Sequence, residues 1–149
     1  MSKHSSPLLP SNPKLPPKES LTVEFKSDQK RLSDTDLVEA LVCLANTEGG
    51  ELWLGVEDDG RATGLRADHT LLVGLAGLVA ARTSPSLQVD VESVAVDGVQ
   101  VACIRVPKAQ SEVATQAGVC VRRRIKLKAS KLRTHGRRDL AVCRTSKWC

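Results

Sequence analysis

Aromatic residues are nearly missing from this 149-residue chain: it has no tyrosine, one phenylalanine (Phe25) and two tryptophans (Trp53 and Trp148). Phe25 and Trp53 fall in apolar strand-like runs, so the core claims at least one of them and little is left to stack on nucleobases. Any recognition of nucleic acid would then rest on phosphates and groove shape rather than base edges. Histidine is scarce too. His4, His69 and His135 lie in a proline-rich arm, at a helix start and in a basic tail, and none pairs with a nucleophile, which leaves Ser–His and Cys–His hydrolysis unsupported. The five cysteines (Cys43, Cys103, Cys120, Cys143 and Cys149) contain no C-x-x-C pair. Neither a zinc site nor a disulfide framework is expected from them; Cys43 and Cys103 read as small core residues. There is no G-x-x-x-x-G-K-[ST] loop for a nucleotide. No run approaches the ~20 apolar residues of a membrane-spanning helix, and the N-terminus lacks the charged and apolar regions of a leader. These absences point to the cytoplasm.

What is present is divided. Residues 1–120 hold 11 Lys/Arg against 16 Asp/Glu, whereas residues 121–149 hold 11 Lys/Arg against Asp139 alone, so the net charge of +5 hides an acidic body and a basic tail. Nucleic-acid affinity would lean on that tail and on local basic spots. Five of the seven prolines fall in residues 1–18, a segment too poor in apolar residues to fold, and it reads as a disordered arm. Residues 19–124 carry the periodicities of one small domain. Residues 125–149 abandon that grammar and read as a truncated or frame-shifted ending.

Within the domain, Leu21, Val23 and Phe25 alternate with Thr22, Glu24 and Lys26, which predicts a strand with Glu24 and Lys26 on one face. Glu19 lies five residues before Glu24, so it joins Glu24 only if the chain bends near Ser20. Ser33-Asp-Thr-Asp36 caps a helix whose apolar face runs through Leu37, Leu41 and Leu44. Gly49 and Gly50 end it, the first in a left-handed cap, and Leu52 to Val56 follows as a buried strand. A second helix is predicted over 68–82, burying Leu71, Leu72, Leu75, Leu78 and Val79. Asp97-Gly98 between alternating runs signals a hairpin, and Val119 to Arg123 reads as a last strand. The expected fold is α+β: a mixed sheet with two helices.

Three motifs stand out: Glu19-Ser-Leu-Thr-Val-Glu-Phe-Lys26, Ala45-Asn-Thr-Glu-Gly-Gly50 and Gly55-Val-Glu-Asp-Asp-Gly60. Together with Arg82-Thr-Ser-Pro-Ser-Leu87 and Val121-Arg-Arg-Arg124, they resemble bacterial members of the Schlafen-type AlbA-like domain family, a DNA-binding label, over roughly residues 19–125. The resemblance implies a nucleic-acid-binding domain, DNA or RNA, at the front of a longer regulatory or ATPase-linked protein. In the eukaryotic branch the domain can be a metal-dependent RNase. Carried over, its three carboxylates fall on Glu19, Glu24 and Asp58.

Two chemistries follow. Phosphate contacts would come from Arg122, Arg123 and Arg124, with Arg82 and Lys108. Alternatively, Glu19, Glu24 and Asp58 would hold Mg²⁺ or Mn²⁺, hard cations that suit oxygen ligands, while Lys26 steadies the phosphate of an RNA being cut. Clustered carboxylates repel, so they need such a cation, a shared proton or solvent. The plainer account makes Glu24 and Lys26 an exposed strand face and Asp58 a turn residue favoured for local reasons. A third class is a protein-interaction module, with self-association left open. Asn46 to Gly50 reads as structural, because a helix C-terminus disfavours anions.

Overall fold

The computed structural model describes residues 14–70, 72–122 and 145–148, with side chains described up to residue 118. The fold is α+β with a mixed sheet. Strand β1 (Val23–Lys26) leads through helix α1 (Asp34–Thr47) to β2 (Gly50–Leu54), which pairs parallel to β1. Three short helical turns follow: α2 (Ala67–Thr70), a 3₁₀ turn (Leu72–Gly74) and α3 (Leu75–Ala81). Then come β3 (Thr83–Ser84), β4 (Asp90–Val96), β5 (Val99–Val106), β6 (Ala114–Thr115), β7 (Val119–Arg122) and β8 (Thr145–Trp148). The main sheet has the order β1-β2-β5-β4, antiparallel except at β1–β2. β3 pairs with β6, and β7 pairs parallel with β8.

The central strands bury both faces. Leu52 and Leu54, with Ala102 and Ile104 of β5, pack against Leu37, Val38, Leu41, Val42, Leu44 and Ala45 of α1. On the opposite face Phe25, Trp53, Val56, Val101 and Cys103 form a second cluster, against which Leu15 and Ala62 pack. Burying two faces explains why β5 reads Val-Ala-Cys-Ile without alternation. Leu15 belongs to the segment read as a disordered arm, and the Phe25–Trp53 face gives it an apolar seat. Residues 1–13 lie outside the described residues.

The Asp97-Gly98 hairpin forms as the sequence predicts, with φ of 51° and 79° at its two turn residues. The second helix does not run unbroken over 68–82. It is interrupted around the 3₁₀ turn that ends at Gly74; Leu75 and Val79 are buried, Leu72 and Leu78 are half-buried, and Leu71 lies outside the described residues. Glycine inside a helix costs about 1 kcal/mol relative to alanine, and this segment contains Gly74 and Gly77. Strand β1 begins at Val23 rather than Leu21, because Ser20 and Val23 exchange two backbone hydrogen bonds across a turn. Cys43 is buried as expected but is also disulfide-bonded, a bond the cysteine spacing did not reveal, while Cys103 is free and buried. Of the basic ending, 145–148 forms β8; residues 123–144 and 149 lie outside the described residues.

Candidate nucleic-acid interface and carboxylate edge

Ser33 caps α1 by accepting from the Asp36 amide at 3.0 Å, and Asp34 and Asp36 place negative charge in the first turn, where the helix dipole favours it. At the other end Gly49, at φ 75°, donates to Leu44 O at 2.7 Å. A Cβ on Gly49 would sit 2.5 Å from the Lys108 nitrogen, and one on Gly50, at φ 141°, 2.0 Å from Thr22 O. The two glycines thus let β1, β2 and the chain after β5 approach within backbone contact. Asn46 serves the same packing. Its side chain donates to Val113 O and accepts from Val113 N, both at 2.8 Å. Ala109 N donates to Ala45 O, and Gln116 N donates to Arg82 O. Residues 107–118 therefore run as a strap along α1, from its C-terminal end back toward Arg82.

That strap separates two of the expected phosphate contacts. Lys108 pairs with Glu48 at 3.5 Å beside the end of α1, whereas Arg82 pairs with Asp34 at 3.8 Å beside its start. Fourteen residues at 1.5 Å rise put these ends about 20 Å apart. Near Arg82 a cleft of about 330 Å³ opens between Thr35 and Glu39 of α1 and Gln116 of the strap. Arg122 ends β7, its side chain outside the described ones; Arg123 and Arg124 lie beyond the described residues.

The carboxylates go to separate places. The chain bends at residues 20–23, and Glu19 Oε1 accepts from the Phe25 amide at 2.9 Å. Phe25 N faces the open edge of β1, so Glu19 supplies the acceptor that a neighbouring strand would have offered. Glu24 pairs in register with Leu52 on the helix face and forms an ion pair with Lys26 at 3.3 Å. Asp58 is exposed in the turn 57–60, with no hydrogen bond or ion pair among the described residues. That turn leans over the opposite face: a Cβ on Gly60 would lie 3.9 Å from Phe25 Cε2 and 3.2 Å from Pro17 O. Among the described residues no three His, Cys, Asp or Glu side chains group to hold a metal ion. Glu19, Glu24 and Asp58 as placed therefore make no such group among the described residues.

Acidic residues not among the expected site residues are more tightly built. Glu57 accepts from the Thr63 hydroxyl at 2.5 Å, and this bond, helped by Ser27, Gln29 and Arg61 against partial desolvation, holds its carboxyl below the ordinary range. Asp28, fully buried, accepts from the Leu32 amide at 2.8 Å, the Arg66 amide at 2.7 Å and His69 Nδ1 at 2.8 Å. Forty-one positions separate Asp28 from His69, so no local pattern could have joined them. The Cys103 thiol is pushed up to about 12, first by burial and then by Glu51, which leaves it a neutral core group.

Among the described residues no helix is long and apolar enough to cross a membrane. No curated protein matches the chain. Among solved structures, the DIP2311 protein of Corynebacterium diphtheriae is similar at 26% identity and a TM-score of 0.54, over 65% of this chain and 22% of that one. The chain thus spans about a fifth of that relative's length. The N-terminal domain of an ATP-dependent DNA helicase RecG-related protein from Nitrosomonas europaea shares the fold at 24% identity and a TM-score of 0.53, over 66% of this chain and 72% of that one. Residues 19–130, more than half of the sequence and containing all three motifs, match the family described as Schlafen, AlbA_2. With the α1 crossover, the glycine-permitted contacts and the parallel β1–β2 pair seated on those motifs, the chain belongs to the Schlafen AlbA_2 family.

Proposed function

We propose that this chain is a nucleic-acid-binding domain that holds DNA or RNA by its phosphate backbone and serves a longer regulatory or ATPase-linked protein. Membership of the Schlafen AlbA_2 family over residues 19–130 carries the reading. The likeness to a helicase-related N-terminal domain supports the same direction. The scarcity of exposed aromatic rings argues for backbone contact over base stacking. Arg82, Lys108, Arg122, Arg123 and Arg124 make the contacts in this proposal. Arg82 and Lys108 stand at opposite ends of one strap along α1, a separation of about 20 Å that suits phosphates several nucleotides apart better than a point anion. The body is acidic, so these contacts compete with local repulsion and binding falls steeply with salt.

Fluorescence anisotropy of the full chain with labelled single-stranded and duplex DNA and RNA tests this. A salt-sensitive rise is expected, with the slope of log affinity against log salt smaller by about 1 for each of Arg82→Ala and Lys108→Ala. Absence of binding, or binding indifferent to salt and to both variants, would move the domain to the protein-interaction class. A fall below the anisotropy of free RNA in Mn²⁺, abolished by Glu24→Ala, would restore metal-dependent cleavage through Glu19, Glu24 and Asp58.

A further inference from the structure

The cleft beside Arg82 is built from two sides. Thr35 and Glu39 lie four positions apart on α1, so they neighbour one another on one helix face, and buried Val38 completes that wall. Across from them, Arg82 and Gln116 are tied backbone to backbone, with Gln116 N donating to Arg82 O at 2.9 Å. That tie continues the β3–β6 pair, in which Thr83 meets Thr115 and Ser84 meets Ala114. Ala117, small and exposed, extends the second wall. At about 330 Å³ the space falls at the low end of ligand clefts, roughly 300–1,000 Å³, with room for one nucleotide rather than a stretch of peptide.

We propose that this cleft takes one guanine of a bound strand, read along its edge by Glu39 and Gln116 while the adjoining phosphate rests on Arg82. The inference deepens the nucleic-acid reading above and rests on it. Arg82 suits the phosphate because its pairing with Asp34 is long, at 3.8 Å, beyond hydrogen-bond reach, and its side chain is 44% exposed. Asp34 has a nearer arginine in Arg31, at 3.2 Å, so its charge stays paired when Arg82 turns to a strand. The Glu39 carboxylate repels phosphate, which orients the nucleotide with its phosphate at the Arg82 wall and its base at α1.

The choice of base follows from the donors and acceptors. An ionised carboxylate only accepts, and the Watson–Crick edge of guanine offers two adjacent donors, N1–H and the N2 amino group, that its two oxygens match. The neighbouring O6 is an acceptor, which suits the amide N–H of Gln116. Uracil and thymine set a single N–H between two carbonyls that a carboxylate repels, and adenine and cytosine set one amino group beside a bare ring nitrogen. Glu39 keeps contacts of its own, but a carboxylate has about four lone-pair sites and accepts from a base as well. Val38 and Ala117 supply apolar contact for the base, so reading it asks for no aromatic ring in a chain that has few.

Fluorescence anisotropy of the full chain with an all-uridine strand, and with the same strand carrying one central guanosine, tests the cleft. The guanosine strand is expected to bind at least about fivefold tighter, with amide shifts at Thr35, Gln116 and Ala117. Glu39→Gln should bring the two strands to equal affinity, and so should Ala117→Leu, which fills the cleft from an exposed position. Arg82→Ala should weaken both strands alike. Equal, salt-sensitive binding of the two strands by the unsubstituted chain would overturn this inference alone. A preference that survives either folded variant, or free guanosine monophosphate binding as tightly as the strand, would do the same. Binding of neither strand would remove the nucleic-acid reading and this inference with it.

Discussion

Glu19 is a carboxylate whose placement changes its meaning. One oxygen receives the Phe25 amide at the open edge of β1, so an amide side chain could do the same. Glu19→Gln is therefore expected to leave stability nearly unchanged, whereas Glu19→Ala should cost about 1–2 kcal/mol by stranding a half-buried N–H. Urea midpoints of the two variants check this, and equal losses would contradict the capping role. Cys103 offers a second test at this scale. Its thiol is raised to about 12, from 9.0, by burial first. A raised folded value means the stabilisation is complete below the unfolded value and is lost as pH climbs through the folded one. Stability should hold to about pH 9 and decline between 9 and 12, and Cys103→Ala should flatten that decline on a lower baseline. Denaturant melts at graded pH decide it.

Elements meet here through small residues that permit contact rather than make it. Gly50 is the sharpest case: a methyl group would stand 2.0 Å from Thr22 O at a φ of 141°. Gly50→Ala is expected to cost more than about 3 kcal/mol, since strain and a forced separation of β1 from β2 combine. A melting temperature within a few degrees of the unsubstituted chain would refute that. Asn46 binds the strap in both directions, so Asn46→Ala should cost about 2–3 kcal/mol and raise the exchange of the Val113 amide. The helix of the motif and the strap it holds are one structural unit. That is why a stretch ending in two glycines at a helix C-terminus needs no ligand to explain it.

Across the whole molecule, charge and topology pull apart. Six more acids than bases lie among residues 14–118, sixteen against ten, and the two described candidate cations of the interface stand at opposite ends of α1. The domain is not a basic surface, and any grip on a polyanion is local. Doubling the salt from a physiological value should therefore release bound nucleic acid several-fold, without a change in melting temperature. Filter binding with a parallel thermal melt would show it. Loss of the fold at the same salt would attribute the release to stability instead.

Much of the architecture was legible in residue order, because it follows from local patterns. The α1 stripe, its Ser33 cap, the glycine stop and the Asp97-Gly98 hairpin each depend on residues within a few positions of one another. The Schlafen AlbA_2 motifs, being contiguous, were equally readable. The sequence order could not decide which face the Asp58 turn would cover, that Glu19 would bend to an open strand edge, or that Asp28 would meet His69. These rest on contacts between distant segments, whose pairing is fixed only when apolar surfaces on both sides of the sheet are buried together. The local alphabet determined the elements and the family, and the closing of two cores around β2 and β5 decided where each charged group ended up.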